Sequence, residues 1–455
     1  MKPFGFALIV ALAVPCVAAS AQEVATKPPF NVQLGGYFND EFGTVTTADR
    51  YNPSARSNAF RYDASLFVDA HATADNGLLY GISLRQPLES DSSALEQLQQ
   101  RALLYFQADW GRLELGKAAG PAFRSFGFAA DYGPPYLDAE GPSAYPIGWH
   151  FLPGADGRNP PSGLGNALSI PLASLGVTPF DFQTAAKLYY STPEIAGVQI
   201  SFAYIPDGGT RGIVGSPDRS YGDAGSAAIA DGASIGIGEA GGCRGVVAGA
   251  AASVGLNASN GVCATTELSQ AGYNDAVEGA VQYRTDFSTA DVKAVIGFTH
   301  ASAKGQLANP GVAGVAGGGK FHDLTSIAAN LSVSYAGFTG TLGVSDEGLS
   351  GQLQAGSYHS ASYGLGAGLE YAIAGWTIGG FWRYAEQAGS TFLPGADRLE
   401  DTELGIGYKL RPGVKLWGDV YHLDYRDDGA LLGDGAGSVD HRTAYIFMTG
   451  SSISF

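Results

Sequence analysis

Arg61, Arg85 and Arg101 are the residues of this 455-residue chain whose type and spacing could do chemistry. Each falls on the polar side of a segment in which apolar and polar residues alternate, so the three would share one polar wall. Lys117 ends the next such segment. Asp131, Asp138, Glu140 and Asp156 follow in a stretch with no alternation. Guanidinium and carboxylate groups set out this way build an electrostatic field; they do not build a nucleophile. Serines, His422 and His441 are present, but no Gly-x-Ser-x-Gly elbow or other placed nucleophile accompanies them, and an enzyme is not expected. The seven histidines are scattered, and no two have the spacing of metal ligands on a helix. His300, His322 and His359 lie near the ends of alternating segments. No metal and no cofactor is expected. The acidic runs Asp346-Glu347 and 424–428 could hold divalent ions bridging lipopolysaccharide, although solvated loop charge is the favoured reading.

The elements that would carry these charges are strands. Phe60, Tyr62, Ala64, Leu66, Val68 and Ala70 alternate with Arg61, Asp63, Ser65, Phe67, Asp69 and His71. That rhythm suits a sheet with oil on one face and water on the other. Ala74-Asp75-Asn76-Gly77 is a tight-turn sequence. Leu78, Tyr80, Ile82 and Leu84 then share one side, and Arg85 has the opposite parity. In 101–109, Ala102, Leu104, Phe106 and Ala108 oppose Arg101, Leu103, Tyr105 and Gln107. The same pattern recurs at 32–39, 183–191, 197–205, 275–285, 291–300, 323–335, 338–345, 362–372, 376–384, 403–410, 414–425 and 442–455. Short turns and long connections alternate between these segments, with 40–58 read as one exposed loop. The expectation is an all-β transmembrane antiparallel barrel of about 16 strands, with turns and termini on one side and long loops on the other.

Composition agrees. With 66 Gly, 23 Phe, 23 Tyr and 5 Trp, the chain is rich in residues that suit close strand approach and a membrane-water boundary. Residues 1–21 read as an export signal: Lys2, an apolar run from Phe4 to Val14, then Ala19-Ser20-Ala21 before the cut. That run is too short to span a bilayer as a helix, which takes roughly 20 residues. Residues 22–455 form one barrel domain with no linker. Within it, 118–181 is a long connection rich in Pro, Gly and aromatics, including Tyr132, Tyr136, Tyr145 and Trp149, and 207–271 is a long external loop rich in Gly and Ala. The latter holds Cys243 and Cys263, a candidate loop disulfide with two free thiols as the alternative. A net charge of −17 argues against nucleic acid as a partner and favours cations over anions as the solutes attracted.

Two stretches carry a family resemblance. Residues 445–455 place Tyr445, Phe447, Thr449, Ser451, Ile453 and Phe455 on one face and end on an aromatic. Residues 110–117, Trp-Gly-Arg-Leu-Glu-Leu-Gly-Lys, have a Gly-x-x-x-Leu-Gly-basic pattern. Both resemble the general porins of the Gram-negative outer membrane. The resemblance implies a homotrimer among outer-membrane lipid and lipopolysaccharide, passing small hydrophilic solutes and ions by diffusion. It also implies that 118–181 folds into the lumen. Asp131, Asp138 and Glu140 on that loop would then oppose Arg61, Arg85, Arg101 and Lys117 on the wall across a constriction. A substrate-selective porin, for sugars for example, and a non-conducting surface barrel are the alternative readings.

Overall fold

The computed structural model describes residues 30–47, 58–88, 101–126, 182, 185–207, 268–287, 289–307, 320, 322–351, 354, 359–388, 396–427 and 441–455. The strands are β1 (Asn31–Thr47), β2 (Asn58–Thr73), β3 (Leu79–Pro87), β4 (Arg101–Ala108), β5 (Gly111–Lys117), β6 (Ala186–Ser191), β7 (Val198–Asp207) and β8 (Leu268–Phe287). They continue with β9 (Ala290–Leu307), β10 (Leu324–Tyr335), β11 (Phe338–Gly348), β12 (Ser362–Ile373), β13 (Trp376–Ala388), β14 (Ala396–Arg411), β15 (Val414–Asp427) and β16 (His441–Ser454). Among the described residues one short helix, α1 (Pro121–Ser125), follows β5. Every strand pairs with its sequence neighbours, and β16 closes on β1, so no backbone edge is left open. Phe455 completes the seam: its N–H donates to Gly36 O, and its carbonyl accepts from Gly36 N–H.

Two-residue alternation decides which side each residue takes. Leu34, Phe38, Phe42, Ile82, Leu104, Phe202, Ile296, Leu342, Leu404 and Phe447 are exposed on the outside. In water such a continuous apolar belt would aggregate; in lipid it is the solvated surface. Aromatic pairs gird the end nearest the tight turns: Phe338 stacks on Tyr371 at 4.3 Å, and Trp376 lies 4.5 Å from Tyr408. Among the described residues no helix is long and apolar enough to cross a membrane.

The turns are two-residue hairpins where Tyr335 pairs with Phe338 and Ile373 with Trp376. Both central residues take positive φ, +50° and +86° at Ala336-Gly337, as a turn matching the strand twist demands. A Cβ at Gly337 would come 2.7 Å from Ala372 O.

Several strands run beyond the sequence reading: β14 begins at Ala396 and β9 continues to Leu307. Residues 40–47 are strand rather than loop, because all of them pair in register with β16 and 40–44 pair with β2 as well. Their Asp, Glu and Thr residues hide an alternation that Phe42 maintains on the outer face. Likewise β8 starts at Leu268, inside the stretch read as external loop. Residues 1–29 and most of 207–271, with Cys243 and Cys263, lie outside the described residues.

Candidate functional site

On the inner face of β3–β5 the basic residues form a rack. Arg85 on β3 is in register with Arg101 on β4 and with Phe67 on β2. Its Nη2 donates to the Tyr37 hydroxyl at 2.8 Å, and its guanidinium lies 5.3 Å from the Tyr37 ring and 5.1 Å from that of Phe67. Arg101 is exposed on the same side, within the fields of Arg85, Arg112 and Arg124. Arg112 on β5 lies over Tyr105, 4.1 Å from the ring centre, and Arg124 of α1 lies 4.2 Å over Tyr189. Stacking of this kind fixes a guanidinium while leaving its edge to face solute. One buried carboxylate joins the last two: Glu114 accepts from Arg112 Nε at 2.6 Å and from Arg124 Nη2 at 2.7 Å. Tyr105 in turn donates to Asp69 at 3.0 Å.

Around the wall, β13–β15 carry the opposite balance. Arg383 on β13 donates to Asp401 on β14 at 2.8 Å, and the two side chains are 2 % and 0 % exposed. Glu403, two residues on, is in register with Tyr421, and Asp419 with Gly405. All are buried on the inner face, among Phe381, Leu399 and Tyr421. Glu347 on β11 adds another buried carboxylate.

A third cluster lies where the β5–β6 connection meets the wall. Proline at its first position fits α1 to a helix start. The helix seats Ala122 and Phe126 against Ala280, Val295 and Ala328, inward-facing residues of β8, β9 and β10. Gly297 makes that seat possible, because a Cβ there would fall 2.3 Å from the Ala122 methyl. At the other end of the connection, Phe182 N–H donates to Glu278 Oε1 at 2.8 Å. Lys187 Nζ reaches Glu278 Oε2 at 3.1 Å.

The structure thus brings Arg85 and Arg101 together as the alternation indicated. Arg61 pairs in register with Glu41, and its side chain lies outside what is described. Lys117 is placed elsewhere than expected. It is opposite Ala102, on the exposed outer face of Leu104 and Leu115, because Arg112 and Glu114 fix the inward parity of β5. Asp131, Asp138, Glu140 and Asp156 lie outside the described residues. The sequence reading missed Arg112 and Glu114 as site residues, along with Arg124, Arg383, Asp401, Glu403 and Asp419. Among the described histidines, His322 and His359 meet edge-to-face at 5.6 Å beyond the outer ends of β10 and β12. Burial, and then the His359 ring, hold the His322 imidazole below its ordinary range.

The family model for Gram-negative porins matches residues 7–428. The chain belongs to that family. It is an outer-membrane barrel of the channel-forming kind. Among solved structures it is similar to an anion-selective porin from Comamonas acidovorans: 14% identity, 94% of this chain and 100% of that one covered, TM-score 0.50. A loop L8 deletion mutant of OmpT, an outer membrane protein of Vibrio cholerae, matches at 12% identity over 94% of this chain and 99% of that one, TM-score 0.49. At such identity the likeness to the first is one of fold. No curated protein matches the chain.

Proposed function

We propose that this porin passes small hydrophilic solutes and ions by passive diffusion, and that the arginine rack and the acidic wall sort them by charge. The observation that carries the reading is the rack itself. Arg85, Arg112 and Arg124 are each braced by an aromatic ring or a carboxylate on the inner face, where a bore would meet them. Fixed charges on opposed or adjoining walls give a transverse field that acts on every solute without binding any one tightly. Carboxylates of Glu403 and Asp419 on the inner face, together with the overall −17 charge, favour a mild cation preference. The Comamonas acidovorans porin of like fold is anion-selective, so the sign of the preference is a sharp test of this wall.

The seat of α1 against Ala280, Val295 and Ala328 supports a β5–β6 connection that enters the lumen and narrows it. Family membership supports a homotrimer in contact with outer-membrane lipid and lipopolysaccharide, and a channel without catalysis. A sugar-selective slide is less well supported, because the inner rings of Tyr105 and Tyr189 are already covered by guanidinium groups. The test is the zero-current potential across a planar bilayer under a salt gradient. A potential with the sign of cation excess is expected. Anion excess would remove the preference, and absence of any conductance would remove the channel.

A further inference from the structure

The connection between β5 and β6 is fastened at both ends, and the two fastenings are built alike. At the departing end, the buried carboxylate of Glu114 takes Arg124 of α1, whose Nε also donates to Ala119 O at 2.6 Å. At the returning end, the buried carboxylate of Glu278 takes a backbone N–H from Phe182 and the ammonium of Lys187. The Phe182 ring meets Tyr273 edge-on at 6.1 Å, and Tyr273 is fully buried on β8. Glu278 and Lys187 have side chains only 2 % and 1 % exposed. A pair so removed from water contributes little to a field in the bore. Ion pairs of this burial are also poor sources of net stability, and specifying one arrangement is their better-attested use.

We propose that Glu278 is a positioning residue: through Phe182 and Lys187 it pins the returning end of the β5–β6 connection to β8 and keeps the constriction in one conformation. This rests on the reading that the connection narrows the channel. Glu278 is two strands away from β6, so it links the connection to a part of the wall that backbone pairing does not reach. Its Oε1 acts on the connection and its Oε2 on the first residues of β6, so one carboxylate sets both the entry and the direction of the strand. The pin predicts a division of labour. Loss of rack charge changes which ion passes, whereas loss of Glu278 changes how steadily any ion passes.

The experiment compares wild type, Glu278→Ala and the double variant Lys187→Met/Glu278→Gln in planar bilayers. The double variant removes both charges and so avoids leaving a lone buried ammonium, which could block folding of a single variant. Trypsin adds a readout independent of current, because Arg158 is the one Lys or Arg in the sequence between 127 and 181. The expected result is an open-channel current variance and an Arg158 cleavage rate each raised about tenfold, as when a local closed state loses its fastening. The cation-to-anion ratio should stay at the wild-type value. Quiet currents and unchanged cleavage in a folded double variant would overturn the pin. So would a shift in ion ratio as large as that from neutralising Arg85. Raised cleavage in the variants, alongside a wild type that conducts nothing, would uphold the pin and sink the channel reading instead.

Discussion

On β3–β5 several guanidinium groups share aromatic rings and one carboxylate, whereas on β13–β15 one guanidinium pairs with Asp401 among further buried carboxylates. The difference is in what holds each charge. A ring under an arginine supplies attraction without cancelling its charge, as at Arg85, while Arg112 and Arg124 set two positive charges against the single carboxylate of Glu114. Asp401 is held by direct pairing with Arg383, and the two fields largely cancel at a distance. Glu403 and Asp419 lie beside that pair on the same inner face and add to the acid of this wall. One wall therefore presents its charge, and the other uses part of its charge for structure.

The largest expected effect breaks the structural half of this contrast. Arg383→Met strands Asp401 in a buried site and should cost about 3–5 kcal/mol of barrel stability. A lower denaturant midpoint for refolded protein in lipid vesicles would register it. Arg383→Met combined with Asp401→Leu should return close to wild type, since two apolar side chains leave no charge stranded. If the single variant is as stable as wild type, water must already screen Asp401, and both walls are of the same kind.

Next in size is the charge-presenting half. Arg85→Gln with Arg101→Gln should raise the cation-to-anion permeability ratio about tenfold, close to 1.4 kcal/mol of discrimination. Glu403→Gln with Asp419→Asn should lower that ratio by only about two- to threefold, because neighbouring Arg383 already offsets part of the acidic field. Zero-current potentials measure both. Equal and opposite shifts from the two walls would erase the distinction.

Arg85 and Arg101 of the first wall were legible in the sequence and none of the second wall's site residues, for a physical reason. Arg85 and Arg101 sit in segments whose other parity is plainly apolar, so the two-residue period gives contrast. In β14, Leu399-Glu400-Asp401-Thr402-Glu403 carries acid on both faces; Glu400 points outward to Trp382 and Asp401 inward to Arg383. Periodicity cannot separate two carboxylates that differ only in parity. The same loss of contrast hid residues 40–47, where outward Asp40 is satisfied by the Ser451 hydroxyl across the closing seam. Lys117 was readable, since Arg112 and Glu114 already fix the inward parity of β5. The strand count and closure followed from the repeated rhythm. The contact of α1 with β8–β10 joins segments far apart in the chain, and no local pattern encodes it.

The finest separation of holding from presenting charge comes from Tyr37→Phe. The change removes the hydroxyl that accepts from Arg85 at 2.8 Å and from Ser65 at 3.2 Å, and keeps the ring. Stability should fall by roughly 0.5–1.5 kcal/mol, the net value of an ordinary hydrogen bond, seen as a small drop in denaturant midpoint. Phe67 and the remaining ring still flank the guanidinium, so the charge stays on the wall. The zero-current potential should then move by much less than in Arg85→Gln. A shift as large as that of Arg85→Gln would mean that selectivity depends on the exact bearing of one guanidinium rather than on its presence. The rack would then act as a binding site, and the stacked rings as its alignment.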